Sequence, residues 1–147
     1  MVDIELLTKR LVQLKEYLND LEEVKNKKDF NIQMLKEDKV INRYVERTLH
    51  LAIESSLDIA NHIIADERFR EPKSNRDIFE VLFENKLISK EKATNLQKMA
   101  QFRNILVHDY LKVKPEIIFD ILNNDLNDLY YLLETIKGNY LGWDNEN

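Results

Sequence analysis

The sequence predicts an all-α chain, on three observations. Only two Gly and two Pro occur in 147 residues, and both Gly, Gly138 and Gly142, fall within the last ten. Sheets need turn residues at short intervals, so this scarcity favours long helices. Apolar residues recur at three- and four-residue spacing through most of the chain, which is the helical period. The composition, 44% apolar and 33% charged, describes one domain that can bury roughly two thirds of its unfolded surface without staples. The absence of Cys excludes thiolate nucleophiles, zinc fingers, iron–sulfur clusters and disulfides, and fits a reducing cytoplasm.

The first helix is predicted from about Asp3 to Lys25, where Ile4, Leu7, Leu11, Leu14, Leu18 and Leu21 form one apolar stripe. Charged residues every few positions leave no signal-peptide core and no membrane span there, so a cytoplasmic protein without a membrane partner is expected. The polar stretch 25–29 breaks the pattern, and Asp38 reads as the N-cap of a second helix ending near Ala65. That helix carries Ile41, Val45, Thr48, Ala52, Ile59 and Ile63 on one line and Leu49, Ile53, Leu57, Ala60 and Ile64 on the next. With more than half its circumference apolar, it belongs either at the centre of its bundle or in an interface with a second subunit. Its remaining strip is polar: His50, Glu54, Asp58 and His62 stand at i+4 steps, close to Arg43, Arg47 and Asn61.

Ser74 with Asp77 three residues on resembles a capping box for a short helix through about Asn85. Ser89 caps the next helix, from Lys90 to about Val107. Pro115 suits the first turn of a final helix, which carries Ile118, Ile121, Leu122, Leu126, Leu129, Leu132, Leu133 and Ile136 inward as far as Lys137. Gly138 is expected to end it, making 1–137 a single helical domain and 138–147 a tail on which Tyr140 and Trp143 dock.

Net charge is −5, against general coating of nucleic acid, which needs a basic surface that releases counterions. The charge is unevenly spread. Between Lys86 and Lys114 seven Lys or Arg face only Glu91 and Asp109, so that segment carries +5. It reads either as chance on a solvated surface or as a local anion site on a repulsive body.

Within it, Gln101-Phe-Arg-Asn-Ile-Leu-Val-His-Asp-Tyr110 concentrates Arg, Asn, His and Tyr at a helix end. At 100° per residue Arg103, Asn104 and His108 fall within about 140° of one another, and Tyr110 returns close to Arg103 if the helix persists. Such residues suit phosphodiester chemistry on RNA, which needs no metal. An imidazole titrates close to neutrality, so it can take the proton of a ribose 2′-OH or give one to the leaving 5′-oxygen. A guanidinium offers a planar fork to the phosphoryl oxygens. Two proton transfers ask for two His, which a homodimer would supply. Taken by spacing alone, a His near a helix end and a surface Arg are equally at home as structural groups.

The string Arg103-Asn104-Ile-Leu-Val-His108-Asp-Tyr110 matches R-N-x-x-x-H-x-Y and resembles the HEPN superfamily, specifically the HepT-like toxins of the DUF86 family. Leu57-Asp58-Ile59-Ala60-Asn61-His62-Ile63-Ile64 resembles that family's second helix, and Val113-Lys-Pro-Glu-Ile-Ile-Phe-Asp-Ile-Leu122 its last. The resemblance implies an antiparallel, HEPN-like bundle of four to five helices that dimerises and brings two R-x4-H motifs to one cleft. It also implies a metal-independent endoribonuclease, the toxin of a type VII toxin–antitoxin pair. The implied partner is a nucleotidyltransferase antitoxin of the MNT type, which silences the toxin by transferring AMP to the motif tyrosine, here Tyr110. By that resemblance Arg103 and His108 are catalytic, with Asn104 and Tyr110 in support.

The Glu54/Asp58/His62 ladder also invites a metal, since carboxylate and imidazole share its face. A di-iron bundle wants Glu-x-x-His pairs, which the sequence lacks, so neither metal nor cofactor is expected. Glu54 and Asp58 then either line the dimer cleft and orient His108 or Arg103, or form a hydrated face. His50 reads as structural or exposed. The rival to an enzyme is a non-catalytic helical module in which the motif is a docking site for a nucleotidyltransferase or a nucleotide.

Overall fold

The structure, a computed structural model, describes residues 1–142, with Tyr110 described through its backbone alone. Among these residues there are seven α-helices and no strand. The first, α1 (Ile4–Lys25), is capped by the Asp3 carboxylate, which accepts from the Leu6 N–H. α3 (Lys39–Asp66) starts at Asp38, α4 (Asn75–Glu84) at Ser74 and α5 (Lys90–His108) at Ser89, each side chain accepting the N–H three residues on. Pro115 occupies the first turn of α6 (Pro115–Asn124). These are the starts that the capping chemistry marks in the sequence.

The structure has more helices than the four to five expected, for two local reasons. Asn31 caps a short α2 (Ile32–Glu37) that buries only Leu35. One and a half turns with one inward residue carry no readable period. The long final helix is divided by Asp125 into α6 and α7 (Leu126–Ile136). Asn123, Asn124 and Asp125 are weak helix formers whose side chains compete for backbone groups, and Asn123 Nδ2 donates to the Phe119 carbonyl at 2.9 Å. The apolar set stays buried on both sides of the break, so the pattern gives no hint of it.

Gly138 does not end the last helix. A π-helical turn (Lys137–Leu141) carries the chain past it, and Gly142 is the residue in the left-handed region, at φ 68°. Tyr140 packs on the core, and burial, with Glu67 nearby, pushes its hydroxyl pKa up to about 12. The docking expected of Trp143 lies outside the described residues.

α3 is the centre of the bundle, in contact with α1, α2, α4, α5 and α7. Val45, Leu49, Ala52, Ile53, Leu57, Ile59, Ala60, Ile63 and Ile64 are all buried. The buried hydroxyls of Thr48 and Ser56 donate to carbonyls one turn back. Its wide apolar surface is therefore covered within the one chain and is no argument for a second subunit. α1 runs antiparallel to α3: Asp66 Oδ2 accepts from the Asp3 N–H at 3.0 Å, and His62 Nε2 lies 3.2 Å from the same carboxylate oxygen. The segment from α3 to α4 is clamped by Arg70, whose guanidinium donates in two-pronged fashion to both Asp77 and Glu84. Arg70 and the Lys73 N–H hold the Asp77 carboxyl well below the usual carboxylate range. No helix among the described residues is long and apolar enough to cross a membrane.

The helix break yields a test. Burial, with the Asp120 and Asp128 carboxylates nearby and Lys98 opposing, raises the Asp125 carboxyl above its ordinary value. A raised folded pKa means that the neutral form is favoured by folding, so this group's contribution is present at low pH and is lost as pH rises through the folded value. Asp125→Asn, which keeps the size of a side chain that makes no capping bond here, should raise the urea midpoint at pH ~7, and the gain should fade as pH drops toward ~4. A gain that grows on acidification contradicts the account.

Candidate active site

The C-terminal part of α5 reaches the middle of α3 through Arg103. Arg103 is mostly buried, 22% exposed, and its Nε donates to Oε1 of Glu54. Its Nη1 donates to Oδ1 of Asn104 at 3.2 Å, which leaves the remaining N–H groups of the fork for a ligand. Glu54 Oε1 is also 3.4 Å from Nε2 of His50, one turn back on α3. That approach is not a hydrogen bond, and Nε2, shielded from solvent, has no hydrogen-bond partner among the described residues.

His108 is the last helical residue and is exposed. Its side chain has no hydrogen bond or ion pair among the described residues. Asp109 closes the helix: its N–H bonds the Ile105 carbonyl at 3.0 Å, its own φ is −142°, and its carbonyl accepts the Lys112 N–H at 2.9 Å. The chain then passes into a 3-10 turn (Tyr110–Lys112). The helix therefore does not persist to Tyr110, and helical register does not return that residue to Arg103. The side chain of Tyr110 lies outside the described residues. Val107 and Leu111, on either side of this corner, are 41% and 96% exposed.

The rest of the polar strip divides. Asp58 turns to α1, where Arg10 Nη1 lies 3.8 Å from its carboxylate, so Asp58 does not orient Arg103 or His108. It lines a separate cleft of about 390 Å³ with Arg10, Gln13, Tyr17 and Glu54. Burial, with Glu54 adding and Arg10 opposing, raises its carboxyl pKa. His62 ties α1 to the far end of α3, roughly 18 Å from His50 along the axis. Glu54, Asp58 and His62 thus face three different partners and do not converge, and no group of three metal-ligating side chains occurs among the described residues.

The basic segment read from the sequence is also not one patch. It is strung along α5, which is about 28 Å long, and Lys92, Arg103 and Lys112 are matched by Asp128, Glu54 and Asp109. Exposed cations also reach the motif from α3. Arg43, Glu46, Arg47 and His50 line a cleft of about 230 Å³ with Leu106 of α5. The signal was present in the sequence: 43, 47, 50 and 54 mark successive turns of one helix face.

A family model described as ribonuclease HepT-like matches residues 14–136. The chain belongs to the HepT-like ribonuclease family. The mRNA nuclease HepT of Shewanella oneidensis (strain MR-1) is 35% identical over 102 residues, which are 69% of this chain and 77% of that one. Among solved structures, the tri-AMPylated HEPN toxin of Shewanella oneidensis in complex with its MNT antitoxin superposes with a TM-score of 0.81 at 30% identity, over 93% of this chain and 98% of that one. A toxin–antitoxin crystal structure with AMP-PNP gives 0.81 at 28% identity, over 90% and 98%. The HepT-like expectation from R-N-x-x-x-H-x-Y is met, as is the all-helical HEPN fold.

Arg103 and Glu54 are each less than one-third exposed, so their hydrogen bond is charge-assisted and only partly screened. Glu54→Ala should cost about 1–3 kcal/mol of unfolding free energy in urea. Because Arg103→Ala removes the same interaction, the double variant should lose less than the sum of the two. Additive losses would show that the two side chains are not coupled.

Proposed function

We propose that this chain is the toxin of a toxin–antitoxin pair, a metal-independent endoribonuclease that acts in the cytoplasm as a homodimer through Arg103 and His108. The observation that carries the reading is the corner at the end of α5: an exposed imidazole five residues beyond a guanidinium that Glu54 anchors. In the reaction, the ribose 2′-oxygen attacks phosphorus while His108 or its symmetry mate takes the 2′-proton. The P–O5′ bond breaks, the other imidazole protonates the 5′-oxygen, and a cyclic phosphate and a 5′-hydroxyl result. Arg103 stabilises the charge that grows on the phosphoryl oxygens, where preset donors act most strongly. Asn104, bonded to Arg103 Nη1, and Glu54 hold the fork in place.

Support for two copies comes from the single exposed His108 per chain and from Val107 and Leu111, apolar and exposed on both sides of it. Support for the partner comes from two structural neighbours, a toxin–antitoxin with AMP-PNP and a tri-AMPylated HEPN toxin in complex with an MNT antitoxin. Transfer of AMP to the hydroxyl of Tyr110 would place phosphate charge next to the motif, occupy the anion site and repel RNA.

Purified protein should cut single-stranded RNA in the presence of EDTA, and His108→Ala should lower the rate by roughly 10² to 10⁴. Incubation with the antitoxin and ATP should add AMP mass to the wild type but not to Tyr110→Phe. Full activity in His108→Ala would overturn the catalytic role, and an inert wild type that binds the antitoxin would identify the non-catalytic docking module instead.

A further inference from the structure

We infer that Arg43 and Arg47 form a second phosphate subsite, which holds the RNA backbone a few nucleotides away from the bond that Arg103 and His108 act on. The inference deepens the ribonuclease reading and depends on it for the identity of the ligand.

Two clefts on the described surface are rich in arginine, and they differ in what the guanidinium groups are doing. In the cleft of Arg70, Lys73, Arg76, Asp77 and Glu80, Arg70 is occupied by Asp77 and Glu84; Arg76 is unpaired among the described residues, but two carboxylates share its cleft and no motif residue lines it. In the cleft beside the motif, Arg43 and Arg47 are exposed and have neither an ion pair nor a side-chain hydrogen bond among the described residues. The carboxylate there, Glu46, accepts from Asn42 Nδ2 at 2.9 Å. His50 also lines the cleft, while its Nε2 is turned away from solvent, 3.4 Å from Glu54 Oε1.

The cleft lies beside the motif on α5 and on the same α3 face as Glu54. Leu106, between Arg103 and His108 in the sequence, forms its wall on α5. On α3 the face runs from Arg43 through Arg47 and His50 to Glu54, the residue that holds Arg103. From Arg43 to Glu54 is about 16 Å along the helix, enough for a few nucleotides of single strand. The electrostatics ask for such a subsite. The chain carries net charge −5, and Arg103 already shares its charge with Glu54. A polyanion therefore needs further cations nearby, and a guanidinium fork suits a phosphate in both charge and geometry.

The test uses the full chain in a His108→Ala background, which prevents cutting, and a fluorescein-labelled single-stranded RNA of about twelve nucleotides. Arg43→Gln/Arg47→Gln should raise the Kd by roughly tenfold or more, and lower the slope of log K against log salt by about 1.4, two phosphate contacts at ~0.7 each. Arg43→Lys/Arg47→Lys should recover the salt slope. A control with the same charge loss at the opposite end of α5, Lys86→Gln/Lys90→Gln, should change Kd less than twofold. With His108 restored, the loss in cleavage should appear in KM more than in kcat.

An unchanged Kd and salt slope in Arg43→Gln/Arg47→Gln overturns the subsite, and so does an equal loss in the Lys86/Lys90 control, which would mean a diffuse field. Wild-type protein that does not bind the RNA overturns it as well. RNA binding left intact while affinity for the nucleotidyltransferase drops would assign the two arginines to that partner and also refute the inference. Failure of the catalytic reading shows separately, as cleavage that survives His108→Ala.

Discussion

The Glu54 carboxylate of α3 takes the Nε–H of Arg103 on α5, and this contact converts a packing arrangement into a chemical one. Burial of α3 by five neighbouring helices leaves only a narrow polar strip on it. Glu54, a partly exposed carboxylate on that strip, accepts a charge-assisted hydrogen bond from the guanidinium within its reach. The cation, Arg103, comes from the C-terminal part of α5, five residues before His108. Position along two antiparallel helices, fixed by their apolar contacts, therefore sets where the guanidinium fork points. The alternative use of the same strip, as a metal site, is closed off because Asp58 and His62 are drawn to Arg10 and to Asp66.

The exposure of His108 has an equally local origin. α5 ends there because Asp109 leaves helical geometry and Lys112 returns to it, through its N–H and its ammonium group. The corner pushes Val107 and Leu111 into solvent with the imidazole between them. An isolated chain gains little from such a surface. It becomes useful when a second copy or another protein covers the apolar residues, and a symmetric pairing would supply the second imidazole that a two-proton reaction asks for.

Much of this was legible in the sequence because caps and periods are written in single residues. Asp38, Ser74, Ser89 and Pro115 mark four helix starts, and the two apolar lines of α3 mark the centre of the bundle. The motif itself was legible as a string. What was not legible depends on geometry between elements. Six residues of α2 are too few to show a period, and the break at Asp125 preserves the apolar register. A ladder such as Glu54, Asp58 and His62 looks like one face, yet the three residues sit beside different neighbours, α5, the middle of α1 and the start of α1. The same limit applies to charge: the +5 segment is a linear fact, whereas ion pairs with α3 and α7 decide which cations remain available.

The central claim is that α3 holds the guanidinium of the motif. Side-chain Nε–H exchange, followed by nitrogen-15 NMR near neutral pH, reads it directly. The account predicts that the Arg103 Nε–H exchanges much more slowly than those of Arg43 and Arg47, and that Glu54→Ala, which removes the acceptor, largely abolishes the difference. An Arg103 signal that exchanges as fast as the two exposed arginines in the unmodified protein would contradict it.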